Sequence, residues 1–154
     1  VPMGAVVASR AIHDAFMAAP AAEHTIEFPH GYTYSGHPVA CAAGLAALDI
    51  FEREGLADRA AALAPHFEAA LHACRDAPNV VDIRNFGLAG AIQLAARDGD
   101  PTVRPYEIGR RMWEQGSYVR WGGDTLQFGP PFVAAPADIT HLFEVLLGVL
   151  RTTP

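Results

Sequence analysis

The 154-residue sequence contains no lysine; all eleven of its basic residues are arginine. Every mechanism that needs a side-chain amine, Schiff-base formation included, is closed to this polypeptide by itself. Cysteine is scarce too. Cys41 and Cys74 are too few, and too plainly set in apolar helical sequence, for a disulfide framework. They read as buried, reduced thiols of a cytoplasmic protein. No uncharged apolar run is long enough to span a bilayer, and no signal peptide is visible. Basic clusters are missing: the net charge is −6, with acidic and basic residues interspersed. That argues against nucleic acid and anionic membrane as partners. His30 and His37, seven residues apart across a turn, match no standard zinc spacing and read as structural. No repeat or low-complexity segment occurs, and the chain opens with Val1-Pro2-Met3-Gly4 rather than an initiator Met.

What is present is apolar sequence, 51% of residues, ample for a packed core in a chain long enough for one ordinary domain. The organising stretch is His30–Phe51, HGYTYSGHPVACAAGLAALDIF. A hydroxyl-rich turn runs into an apolar helix. Pro38 suits the first helical position, where a missing N–H costs nothing. His37 or Ser35 is then the N-cap. From Val39 to Leu48 no side chain is charged, so the helix is apolar all round and is expected in the core of a large domain. Thr33, Tyr34 and Ser35 facing a helix start make either a plain capping turn or a seat for phosphate or carboxylate. Spacing alone leaves both open.

Around this stretch the chain alternates between elements. Gly4–Ser9 reads as a short buried strand, and residues 12–17 as a short helix capped by Ser9. Residues 18–29 form a loop. The central helix stops near Gly55. A second helix spans residues 56–74, with Pro65 as a kink or junction. Residues 81–84 alternate as a half-buried strand should. Asn85-Phe86-Gly87 is then a turn, and residues 89–96 the return strand. A helix over 106–114 follows. Two short strands, 118–121 and 125–128, flank the hairpin chemistry of Gly122-Gly123-Asp124, with Asp124 as a turn residue. A last helix covers 139–151. The first piece, residues 1–52, is too small to enclose its own helix. The second, residues 53–154, reads as an α+β unit with a small, mostly antiparallel sheet.

Four stretches carry a family resemblance. HGYTYSGHPVACAAGLAALDIFEREGL resembles the class III pyridoxal-phosphate aminotransferases of fold type I, and is most similar to the β-alanine:pyruvate and ω-amino acid:pyruvate transaminases. VVDIRNFGLAGAIQL is similar to the start of that group's small C-terminal domain, and VRWGGDTLQFGPPFV to its end. PMGAVVAS resembles the strand after the catalytic lysine loop. The resemblance implies an α/β fold: residues 1–52 would end the large cofactor domain and residues 53–154 would form the small α+β domain. The Schiff-base lysine would lie upstream of Val1, so the catalytic group is outside this chain. That accounts for the missing lysine.

The resemblance also implies roles. Thr33 matches the threonine that reaches the phosphate of pyridoxal 5'-phosphate in the partner subunit; the bland reading is a helix cap. Tyr32 matches an aromatic lining the neighbour's substrate pocket; the bland reading is ordinary core. Arg120 matches the arginine that grips a substrate carboxylate, a task its planar fork suits; the bland reading is a solvated edge residue. Tyr34 and Ser35 hold the turn. The implied activity is amino transfer from an ω-amino acid or amine to a keto acid such as pyruvate. The implied assembly is a homodimer with shared active sites, with pairing into a tetramer left open. A class III enzyme acting on ornithine, γ-aminobutyrate or a diamine stays open, as does a non-catalytic remnant that dimerises.

Overall fold

In the computed structural model, which describes every residue except Pro2, Pro20, Ala21 and Glu27, the chain divides into two compact units, Val1–Arg53 and Glu54–Pro154. In the first unit, helix α1 (Arg10–Met17) starts at Ser9, whose hydroxyl oxygen accepts from the Ile12 N–H at 3.4 Å. Phe16 then begins a ladder of rings. Phe16–Phe28, Phe28–His30 and His30–Tyr32 have centroid separations of 4.8, 5.3 and 4.8 Å. His30 is thus a ring partner, and among the described residues no group of His, Cys, Asp and Glu is arranged to hold a metal.

Two turns follow. The Ser35 N–H donates to the Tyr32 carbonyl at 3.0 Å, and the His37 N–H to the Tyr34 carbonyl at 3.2 Å. Gly36, at φ +72°, takes the left-handed conformation that only glycine adopts without strain. Helix α2 (Pro38–Arg53) begins with proline as expected. Its first backbone bond, Cys41 N–H to the His37 carbonyl at 2.9 Å, puts His37 rather than Ser35 at the N-cap position.

One expectation fails here. Residues 4–9 form no strand, and Val6 and Val7 are 93% and 95% exposed. A strand needs a neighbour to complete its hydrogen bonds, and among the described residues of this unit there is none. Helix α2 buries no residue, and Leu45 and Leu48 are 65% and 66% exposed. An all-apolar helix must be surrounded, and a unit of two helices cannot do that. Cys41 is accordingly half-buried, not buried. The readings of PMGAVVAS as a strand and of 18–29 as a loop fall partly on Pro2, Pro20, Ala21 and Glu27, outside the described residues.

The second unit contains α3 (Leu56–His72), β1 (Val80–Phe86), β2 (Ala89–Leu94), α4 (Val103–Glu114), β3 (Arg120–Gly122), β4 (Thr125–Phe128) and α5 (Pro136–Thr152). The strands form one antiparallel sheet in the order β1-β2-β4-β3. Asn85 and Phe86 belong to β1, so the expected turn shrinks to Gly87-Leu88. Pro65 sits inside α3, which continues past it. Helix α4 starts three residues before the expected Tyr106. Helix α5 opens with Pro136, and the Asp138 carboxylate accepts from the Ala135 N–H at 2.8 Å. That bond satisfies an otherwise orphaned donor at the helix start.

The strand pairing explains the core. Ile83, Ile92, Leu126 and Trp121 lie in one cross-strand row, and the first three are at most 6% exposed. Period-two alternation sends the next row, Arg84, Ala91, Gln127 and Arg120, to the other face. Phe67 of α3 and Phe143 of α5 meet edge to face at 5.6 Å, and Phe128 lies 5.1 Å from Phe143. Each such buried side chain stabilises the fold by roughly 1.5–3 kcal/mol. Gly90 lets α3 come close: a Cβ there would stand 2.8 Å from Leu71 Cδ2 and 2.9 Å from Phe67 Cζ. Among the described residues no helix is long and apolar enough to cross a membrane.

Candidate functional site

The β3–β4 hairpin carries Arg120. Its turn is fixed by Asp124, whose carboxylate accepts from the Thr125 hydroxyl and from Gln93 Nε2, each at 2.7 Å. These bonds, that from Thr125 foremost, hold the Asp124 carboxyl below the usual carboxylate range. The Asp124 carbonyl also accepts from the Leu94 N–H at 2.9 Å, tying the turn to β2. On β3, Trp121 turns toward α4, where its ring covers Gly109 and meets Tyr106 at 6.0 Å between centroids. Arg120, one residue earlier, must then face the opposite side. It is exposed, and among the described residues its guanidinium has no hydrogen-bond or ion-pair partner.

Arg120 opens onto a cleft of about 850 Å³. Gln127, Tyr118, Pro131 and His141 share its walls, over a floor that includes Phe67 and Phe128. Arg59 steadies the wall formed by residues 133 and 134, donating to their carbonyls at 3.0 and 3.2 Å. The acidic side chain on the wall, Asp138, is engaged by the Ala135 N–H. An uncommitted guanidinium beside a neutral amide over an apolar floor suits a small carboxylate with a short carbon chain.

Tyr32 and Thr33 lie side by side in the first unit. Tyr32 is 69% exposed, so it is not part of a core within this unit. Thr33 is exposed in the turn, and the helix cap falls at His37, so it does not cap α2. Its hydroxyl has no hydrogen bond among the described residues and can donate to an oxyanion. A free hydroxyl on the turn before a helix fits one edge of a phosphate site. These residues hold no lysine with which pyridoxal phosphate could form a Schiff base. Thr33 therefore fits the phosphate end of that cofactor and nothing more of it.

Two neighbours of Arg120 escaped sequence reading: Gln127 and Tyr118. The hairpin was legible, but the expected three-residue turn Gly122-Gly123-Asp124 would set Leu126 opposite Arg120; in the structure Gly122 pairs with Thr125, the turn is Gly123-Asp124, and Gln127 stands opposite Arg120. Tyr118 carried no such signal, because its place on the cleft depends on how α5 returns. Cys74 is no nucleophile. Burial pushes its thiol up to about 11, against the opposing charge of Arg151, and a thiol so raised is inert.

The family model described as aminotransferase class-III matches residues 1–150. The chain is 64% identical over 146 residues to the beta-alanine–pyruvate aminotransferase of Pseudomonas aeruginosa, covering 95% of this chain and 33% of that protein. It is 60% identical over 151 residues to the omega-amino acid–pyruvate aminotransferase of Pseudomonas putida, covering 98% and 34%. The chain thus spans about a third of the length of the curated relatives it matches. Among solved structures, the PMP-bound form of an aminotransferase from Vibrio fluvialis superposes with a TM-score of 0.72 at 34% identity, over 80% of this chain and 28% of that one. The chain belongs to the class-III aminotransferase family, with the α/β, fold type I architecture that its sequence resembles.

Proposed function

We propose that this chain is the carboxyl-terminal part of a transaminase that moves an amino group from β-alanine or another ω-amino acid to pyruvate. Residues 1–52 would end the large cofactor domain and residues 53–154 would form the small domain. The single observation that carries this reading is Arg120: a guanidinium uncommitted among the described residues, on the wall of a cleft with an apolar floor. The names of the two Pseudomonas relatives support the choice of substrates. Pyridoxal phosphate, when bound, supplies the electron sink on which amino transfer depends. Arg120 binds the substrate carboxylate through paired N–H donors and so orients the reacting end. Thr33 donates its hydroxyl to the cofactor phosphate of a partner subunit, which makes the assembly a homodimer.

The test uses the full-length gene product that contains these residues. With pyruvate and β-alanine the holoprotein forms alanine. The Arg120→Gln variant loses a charge-assisted pair worth about 1.5–3 kcal/mol, so KM for pyruvate rises about tenfold to a hundredfold. An unchanged KM would overturn the role of Arg120, and absence of alanine from the wild type would overturn the activity. The 154-residue polypeptide alone, having no lysine, turns nothing over.

A further inference from the structure

Gln127 stands opposite Arg120 in the register of β3 and β4, and both line the same cleft. Side chains so paired have Cβ atoms about 4.5–5.5 Å apart. The carboxamide of Gln127 leans over Gly122: a Cβ on that glycine would stand 3.3 Å from Nε2. The bare backbone at 122 leaves room for the amide on the face of the hairpin that carries Arg120. Arg120 itself is uncommitted among the described residues, so nothing there competes with an incoming anion.

A carboxylate has about four lone-pair sites, and a guanidinium fork fills two. A further donor on the same face can fill a third. Resting on the carboxylate grip of Arg120, we propose that Gln127 is a specificity-determining residue whose carboxamide N–H donates to the same carboxylate from β4 while Arg120 holds it from β3. The neutral amide matters. A glutamate at 127 would pair with Arg120 and repel the ligand, and an aliphatic residue would leave one ligand oxygen against an apolar wall.

Propionate, a carboxylate without amine or carbonyl, is the probe, titrated calorimetrically into the full-length holoprotein. Gln127→Met keeps length and loses the donor; it weakens propionate about fivefold to tenfold, as expected for one hydrogen bond. In the same variant KM for pyruvate rises by the same factor while kcat stays within about twofold, because the grip acts on ground and transition states alike. Gln127→Glu weakens propionate by at least about tenfold. Gln127 is exposed, so both variants keep the fold. If Arg120→Gln weakens propionate but both Gln127 variants bind it like the wild type, the role of Gln127 is overturned and the grip of Arg120 stands. If Arg120→Gln also binds propionate like the wild type, the grip is overturned and the role of Gln127 with it.

Discussion

The indole of Trp121 lies directly against the bare Cα of Gly109: a Cβ built on that glycine would come within 2.3 Å of the ring carbons Cε3 and Cζ3. This contact clamps edge strand β3, and hence Arg120, onto α4. Alanine at 109 would gain up to about 1 kcal/mol of helix propensity. It would also overpack against a rigid ring, at a cost of about 1–3 kcal/mol. Overpacking wins, so Gly109→Ala lowers the urea midpoint, by up to about 2 kcal/mol in stability. In a Trp121→Val background the same substitution becomes neutral or stabilising, because the obstructing ring is gone. An equal loss in both backgrounds contradicts the clamp.

The β3–β4 turn gives a pH dependence. Hydrogen bonds from Thr125 and Gln93 lower the folded-state pKa of Asp124 below its ordinary value of 3.8. A carboxyl depressed in the folded state stabilises it above the unfolded pKa and ceases to do so as pH falls through the folded pKa. Wild type is therefore more stable than Asp124→Asn at neutral pH, and the gap narrows below about pH 4. Urea midpoints taken at neutral pH and in steps down to about pH 2 read this directly. A gap that stays constant over the range refutes the assignment.

The two thiols should separate chemically. Cys74 is 1% exposed, with a pKa of about 11, so only about a thousandth of it is thiolate at about pH 8. Cys41 is half-buried on α2. Iodoacetamide at that pH labels Cys41 first, and Cys74 reacts only when denaturant opens the core. Peptide mass spectrometry over time checks the order. Prompt labelling of Cys74 in the native chain contradicts its placement.

Helices and strands of the second unit were legible because their apolar residues recur at periods that elementary geometry dictates. Ile83 stands between Asp82 and Arg84, and Phe67, Leu71 and Cys74 return at helical spacing. Boundaries slipped where tertiary contacts extend an element, as with Asn85 and Phe86, which pair with Gly90 and Ala89 instead of turning. The first unit was misread at Val6 and Val7. Their β-branched character suggested a strand, but strand formation depends on a pairing partner that local sequence cannot supply. The exposure of α2 agrees with residues 1–52 being too few to enclose it: apolar sequence states a need for burial, and burial requires something to surround it.

The sequence by itself determined the chemical inventory. It contains no amine side chain, so no Schiff base forms on this chain, and it resembles class III aminotransferases strongly enough to single out Tyr32, Thr33 and Arg120. Only the tertiary structure decided that Arg120 is uncommitted among the described residues, and what shares its cleft. Ion pairing and strand register depend on atoms far apart in the chain. Arg84 and Arg120 both occupy the outward row, yet Arg84 is tied to Asp82 at 2.9 Å, and Arg120, opposite a neutral glutamine, has no such tie among the described residues.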